Sequence, residues 1–376
     1  MAGIYIHIPY CRQKCSYCNF YSLATTKYRE RLIPALVNEM QLQRDYLEGE
    51  IVQTIYFGGG TPSLMRAGEI NRVLSAVCNI FGVDSQAEIT LEANPDDLRA
   101  PKLHALKQAG INRLSIGIQS FEDADLRFLG RSHSAAQARN CIDRAQNAGF
   151  SNLSIDLIYG IPTLDSESWE SNLLTALSCG IPHISAYALT VEEKTPMALK
   201  IKRGSIPDVD DEVQLQHFGI LRSLLQAHGY QHYEISNFCV PGMFSKHNTS
   251  YWQGKKYLGI GPSAHSFNWV SRQWNIAGIG PYLESVNKGI VPFEMEMLTK
   301  AQRFNEYVMT SLRTMWGCDL KEIEKMFGES WAFQALADAR QFLENKMMVR
   351  KDGVLYLTND GLFHADGIAS EFFRVE

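Results

Sequence analysis

The chain has 376 residues, 45% of them hydrophobic, enough to build one large core beside a smaller one. A net charge of −5 excludes a global basic field for nucleic acid or anionic lipid, and no apolar run approaches the roughly 18–20 residues of a membrane span, which leaves room for transient membrane association. Met1-Ala2-Gly3 leads straight into a strand pattern without room for a signal peptide, and Cys78, Cys141, Cys179, Cys239 and Cys318 are scattered singly as small core residues, which together point to a reducing cytoplasm.

The run Ile4-Tyr5-Ile6-His7-Ile8 reads as a strand and opens onto Cys11-Arg12-Gln13-Lys14-Cys15-Ser16-Tyr17-Cys18. Three thiolates with three and then two residues between them, on a short loop behind a strand, form a tripod for one inorganic centre. A cluster of four irons held by only three cysteines keeps one iron free of protein, unlike the sealed four-cysteine sites of electron carriers. The competing reading is a structural zinc, which wants a fourth Cys or His nearby. His7 is the nearest candidate, but on an alternating strand it is a packed neighbour. A disulfide does not suit three crowded thiols in a chain without signs of secretion.

Beyond the loop, Leu32, Leu36 and Met40 predict a helix within 27–46 that either starts near Leu32 or bends at Pro34. A strand over 52–57 runs into Gly58-Gly59-Gly60-Thr61-Pro62, followed by a helix over 67–81, a strand over 87–92 and a helix over 100–109. A weak repeat comes next: Ala109-Gly110-Ile111 and Ala148-Gly149-Phe150, with Cys179-Gly180-Ile181 as a looser copy, each precede a short apolar strand. Helix-ending glycines and alternating strands and helices predict βα units on a parallel sheet. About six units reach His183–Leu189, with a seventh at His232–Ser236. The fold class is therefore α/β, a curved and incomplete (β/α) barrel that places ligands at the carboxyl ends of its strands.

Glu92, Gln119 and Asp156 stand at equivalent strand ends in three consecutive units, and polar groups recurring there share a ligand more readily than they stand alone. The glycine run lets a backbone come close to a ligand, although a tight turn would also explain it. From Ser245 the alternation stops. Residues 246–298 read as an irregular segment closing the barrel core of 1–245. Residues 299–376 read as a helical, winged-helix-like module, with helices at 299–315, 319–327 and 330–345, a hairpin around Lys351-Asp352-Gly353 and a last helix at 360–373. Lacking a basic recognition helix, this module is read as a packing or partner domain.

The C-x3-C-x2-C pattern followed by an aromatic resembles the signature of the radical S-adenosylmethionine (SAM) superfamily. Tyr5-Ile6-His7-Ile8-Pro9-Tyr10-Cys11 resembles the branch of oxygen-independent coproporphyrinogen III oxidases and HemW-type haem chaperones. That resemblance implies a [4Fe-4S] cluster on Cys11, Cys15 and Cys18, whose open iron chelates SAM, and an electron donor for the cluster. It also implies a SAM pocket formed by Tyr5, Tyr17, Gly59, Gly60, Thr61, Glu92, Gln119, Arg131, Asp156, Ala188 and His265, with Arg131 supplying a cation for the SAM carboxylate.

Two departures separate the chain from the oxidases, which resemble C-x3-C-x2-C-x-C and carry a segment before the first strand. Here Phe20 stands at the fourth cysteine position and only ten residues precede Cys11. Coproporphyrinogen decarboxylation is disfavoured on both counts, and the question of enzymatic activity stays open. His247-Asn248-Thr249-Ser250-Tyr251-Trp252 resembles the H-N-x-x-Y-W segment of the chaperone branch, which implies a haem-related role for His247, Tyr251 and Trp252 and delivery to apo-haemoproteins such as respiratory enzymes. Residue chemistry permits the opposite reading too, in which His247 bonds the barrel rim while the two rings plug the barrel.

Overall fold

The computed structural model describes residues 2–375; Met1 and Glu376, the outer bounds of the expected domains, lie outside the described residues. Six strands follow one another as β1 (Ala2–Ile8), β2 (Val52–Gly59), β3 (Val83–Ala93), β4 (Arg113–Gln119), β5 (Asn152–Tyr159) and β6 (His183–Ala188). Each pairs in parallel with the next. The intervening helices are α1 (Arg29–Leu42), α2 (Ala67–Ile80), α3 (Ala100–Gln108), α4 (Asp123–Leu129), α5 (Ala135–Asn147) and α6 (Ser166–Ser178). Every residue of β4 is buried, as expected of strands covered on both faces. The repeat glycines Gly110, Gly149 and Gly180 all have positive φ, which ends each helix and turns the chain into the next strand. Helix α1 begins at Arg29 and carries Pro34 inside it, so the start near Leu32 does not hold and one intrahelical donor is missing.

The seventh unit differs from expectation. After α7 (Pro196–Lys202) and α8 (Asp211–Ala227), the strands β7 (Gln231–Glu234) and β8 (Asn237–Cys239) form an antiparallel hairpin, and β8 lies antiparallel against β6. Strand β7 runs in the parallel sense but β8 separates it from the barrel. The seventh parallel strand joins at the opposite edge: past α9 (Lys246–Trp252), β9 (Lys256–Ile260) pairs with β1, Ala2 against Lys256. Antiparallel strands β10 (His265–Phe267), β11 (Ser271–Asn275) and, after α10 (Ile279–Asn287), β12 (Phe293–Met297) extend that edge. The result is an open sheet of twelve strands.

Residues 246–298 are thus more regular than their composition predicts. The inward positions of β11 are Ser271, Gln273 and Asn275, so no apolar alternation marks the strand. Those residues meet α1 through polar contacts. The Glu39 carboxylate accepts from Asn275 Nδ2 at 2.6 Å and Gly261 N at 2.8 Å, and Gln43 accepts from Gln273 Nε2 at 2.6 Å. Tyr282 and Gln43 also donate to Glu39. Burial pushes the Glu39 carboxyl up to about 7 despite these donors.

The remainder has a separate hydrophobic cluster including Phe304, Ile323, Leu355 and Phe372. It comprises α11 (Lys300–Leu312), β13 (Cys318–Asp319), α12 (Leu320–Phe327), α13 (Glu329–Glu344), β14 (Met348–Lys351) and β15 (Val354–Leu357). Two short helices, α14 (Asn359–Leu362) and α15 (Ala365–Ser370), replace the single last helix expected. Asp352 and Gly353 turn the β14–β15 hairpin with φ of 53° and 88°, the two positive angles a tight hairpin requires. Of the five scattered cysteines, Cys141, Cys239 and Cys318 are buried, whereas Cys78 is exposed and Cys179 half-buried.

Helix α9 floors the barrel at the amino ends of its strands. His247 is 1% exposed; its ring stacks on Tyr56 with centroids 4.9 Å apart. Nδ1 lies 2.8 Å from Thr54 Oγ1, Nε2 lies 2.8 Å from Tyr251 Oη, and the backbone N–H donates to Glu88. Replacing the imidazole in His247→Ala orphans the Thr54 and Tyr251 hydroxyls, at about 1–3 kcal/mol each. Denaturant titration should therefore show a loss of about 3 kcal/mol; a loss below about 1 kcal/mol would remove the plug from the stability argument. Burial lowers His247 to about 3, and His7, His133 and His232 to about 4. These rings stay neutral in the fold but take a proton near 6.5 when unfolded. The unfolded chain thus binds more protons and stability falls as pH drops from about 6.5 towards 4. His247→Ala should flatten that acid limb.

Candidate functional site

The cysteine loop leaves the carboxyl end of β1 and is tied down on both sides. Cys11 N donates to Leu23 O at 3.0 Å, Ser16 N donates to Leu129 O at 3.3 Å, and Met197 N donates to Ser16 O at 2.9 Å. Arg12, inside the motif, bonds Asp97 and lies 3.4 Å from Asp96. Cys11, Cys15 and Cys18 are unpaired and partly exposed. Thr61 Oγ1 is 3.5 Å from Cys11 Sγ and Arg131 Nη1 is 3.4 Å from Cys15 Sγ. Burial raises the Cys18 thiol, and its two neighbouring thiols raise it further. Among the described residues no three His, Cys, Asp or Glu side chains converge on a single ion. A cubane asks for a different arrangement, one thiolate on each of three irons. His7 is a packed neighbour: its Nε2 lies 2.9 Å from Tyr21 O and its Nδ1 3.2 Å from Tyr5 Oη.

Beside the loop, β2 ends in the glycine ridge. Gly59 has φ of 108°, and a Cβ there would sit 2.5 Å from the His7 ring; at Gly60 it would sit 2.7 Å from Tyr10 O. Only glycine fits either place, and the ridge is held against the cysteine loop as a result. Glu92 closes under the ridge, accepting from Gly59 N at 3.2 Å and from Tyr56 Oη at 2.8 Å. Burial pushes Glu92 up to about 7, with Asp156 nearby adding to the rise. Asp156 is itself pushed up to about 6 by burial, against the opposing bond from Ser115.

The fourth strand end carries strain. Gln119 has φ of 68°, a left-handed angle that costs a non-glycine residue about 1–3 kcal/mol. A Cβ on Gly117 would meet Gln119 Nε2 at 2.9 Å and Arg131 at 3.2 Å, so a bare backbone is needed under both. Arg131 Nη2 donates to Asn94 Oδ1 at 2.7 Å and Gly117 O at 2.8 Å, while its buried Nε has no partner. Tyr17 lies against Arg131, Cys15 and Cys18, which all act on its phenol. Ala188 ends β6 opposite Tyr159. His265 sits on β10, exposed, its ring stacked on Trp274 at 6.1 Å and near enough to His7 to act on its charge.

These observations fit the implied groups. Three unpaired thiols lie beside a backbone ridge that admits no side chain, an orphaned guanidinium N–H, and two half-buried carboxylates whose pKa values are raised. The haem-segment residues lie elsewhere, at the floor. His247 has both ring nitrogens engaged within the protein, whereas Tyr251 and Trp252 line a cavity of about 640 Å3 that is walled on its far side by α11 and α12. Tyr56 joins the two regions, its hydroxyl on Glu92 and its ring on His247.

Sequence reasoning missed Tyr56, Asn94 and the Arg12–Asp97 latch. Tyr56 and Asn94 stand next to recognised motifs, and a polar or aromatic residue pointing into a barrel was the signal available. The latch joins segments 85 residues apart and leaves no local trace.

Residues 5–174 match the Radical SAM superfamily. Over 365 residues the chain is 33% identical to the Heme chaperone HemW of Bacillus subtilis (strain 168), covering 96% of each protein. It is 37% identical over 267 residues to the Heme chaperone HemW of Escherichia coli (strain K12), covering 70% of this chain and 69% of that one. Among solved structures, the coproporphyrinogen III oxidase HemN of Escherichia coli, a radical SAM enzyme, matches with a TM-score of 0.85 over 99% of this chain and 90% of that one. At 22% identity that likeness establishes the fold. Sequence similarity across almost the entire length, joined to a radical SAM fold that brings the cysteine loop and glycine ridge together, makes this chain a member of the HemW family of the radical SAM superfamily.

Proposed function

We propose that the chain is a haem chaperone that holds a [4Fe-4S] cluster and SAM at the carboxyl ends of its strands and carries haem as cargo. The observation that carries this reading is similarity to a Heme chaperone HemW over 96% of both chains, module included. Cys11, Cys15 and Cys18 hold the cluster. Gly59, Gly60 and Thr61 offer close-approach backbone to the SAM amino and carboxylate groups. Arg131 pairs with the carboxylate, and Glu92, Gln119 and Asp156 accept or donate around the remainder, with Tyr5, Tyr17, Ala188 and His265 completing the wall. When bound, the cluster supplies an electron to SAM. An electron-donor protein and apo-haemoproteins, respiratory enzymes among them, are the partners of this reading. Among the described residues no helix is long and apolar enough to cross a membrane.

Coproporphyrinogen decarboxylation is not favoured. Phe20, at the position of the oxidases' fourth cysteine, is 65% exposed. A pocket that presents a propionate to a reactive carbon tolerates little error, about 1 Å of misplacement costing roughly a hundredfold. Anaerobic incubation with coproporphyrinogen III, SAM and reductant should yield no protoporphyrinogen; its formation would reverse the choice between chaperone and oxidase.

Two further outcomes follow. The triple variant Cys11→Ala, Cys15→Ala, Cys18→Ala should lose cluster iron and labile sulfide while retaining haem, because no other thiol stands in the loop. Retained cluster iron would exclude the tripod. Glu92 ionises around 7, and the carboxylate is the stronger acceptor for donors on SAM. Affinity for SAM should therefore rise from pH 6 to pH 8 in the reconstituted protein. In Glu92→Gln it should be about tenfold weaker and flat across that range; a pH profile like that of the parent would remove Glu92 from the pocket.

A further inference from the structure

The C-terminal module has no part in the cofactor pocket, yet it forms one wall of the cavity of about 640 Å3 under the barrel floor. That volume lies within the roughly 300–1,000 Å3 of small-molecule sites. The core contributes Tyr251, Trp252 and Trp269, and the module side contributes Trp316, Thr310 and Met326. We propose that this cavity is the haem site, the macrocycle lying against Tyr251, Trp252, Trp269 and Trp316 with a propionate on Lys255. The proposal deepens the haem-chaperone reading and rests on it.

Three observations select a flat, apolar, anionic-edged occupant. Aromatic faces from both walls suit a conjugated ring system, which gains both from burial and from offset stacking. Lys255 lines the cavity and makes no ion pair among the described residues, so its charge is available to a carboxylate. Arg272, the other cation of the floor side, is already bonded to Glu306 and lies 3.6 Å from Glu296, which leaves Lys255 as the anchor. A donor to iron is also present on the module wall, the Met326 thioether. His247 is not such a donor. It stands behind Tyr251, engages the phenol at 2.8 Å, and so fixes a ring that lines the cavity. The C-terminal module thereby acquires a role, as the second half of the cargo site.

The test uses the full chain with its cluster reconstituted, titrated with hemin and followed by the Soret band. Thr310→Trp fills the cavity from α11, and Lys255→Glu reverses the anchoring charge. Hemin affinity should fall at least tenfold in Thr310→Trp and at least threefold in Lys255→Glu, with cluster iron and SAM affinity equal to the parent in both. Affinities within twofold of the parent in both variants would overturn the proposal while leaving the chaperone reading intact. Should Thr310→Trp fail to fold, shown by its thermal transition, Lys255→Glu decides alone on the same twofold limit. Failure of the parent chain to take up hemin at all would instead overturn the chaperone reading, and this proposal with it.

Discussion

Parallel pairing of β1 with β2 is the constraint on which the mouth of the barrel depends. The register sets His7 against Gly58 and Ile8 against Gly59, so the chain emerging from β1 as the cysteine loop lies beside the chain emerging from β2 as the glycine ridge. The backbone then closes the two together, since Gly60 N donates to Ile8 O and Thr61 N donates to Tyr10 O. A slip of one residue in a strand pair sends alternate side chains to the opposite face. It would move His7 from beneath Gly59 and carry the thiols away from the ridge. The glycines are therefore packing requirements in their own right.

Below that mouth the barrel interior is filled by a buried polar column, in which Glu92, Tyr56, His247 and Tyr251 follow one another by hydrogen bonds and ring stacking. Buried polar groups cost stability unless partnered, and here each member partners the next. Glu39 plays a comparable role outside the barrel wall, gathering donors from four directions and fastening β11 and the Gly261 turn to α1. In both arrangements burial raises the pKa of an ionisable carboxyl. One of them touches the glycine ridge and the other fastens an edge strand, so a raised pKa by itself does not mark a site.

Much of the site was legible because its signals are local. Cysteine spacing, a glycine run and polar residues at successive strand ends survive in a linear reading, and the helix-ending glycines marked the βα repeat. The misses have a common cause in residues whose partners lie far along the chain. Strand β11 shows no apolar alternation because its inward residues are polar, while β12 alternates but leaves Phe293, Met295 and Met297 exposed at the sheet edge, so neither carries the pattern of a core strand. The seventh parallel strand was sought after β6, where an intervening hairpin displaced it, and the true one arrived at β1 from 248 residues beyond that strand's end. The sense in which a strand pairs is set by its neighbours and is not encoded in its own composition.

Chemical identity and local form are written in the sequence: three thiols in a loop, glycines where no side chain fits and an Asp-Gly turn. Where those residues lie relative to one another is a matter of tertiary structure. It carried His247 to the barrel floor and engaged both its nitrogens there. It also turned Tyr251 and Trp252 towards a cavity whose opposite wall is a module with a separate core. Local motifs persist in sequence because they depend on neighbours within a few residues. A cavity exists only when surfaces from distant segments meet, and the packing that brings them together is a property of the entire chain.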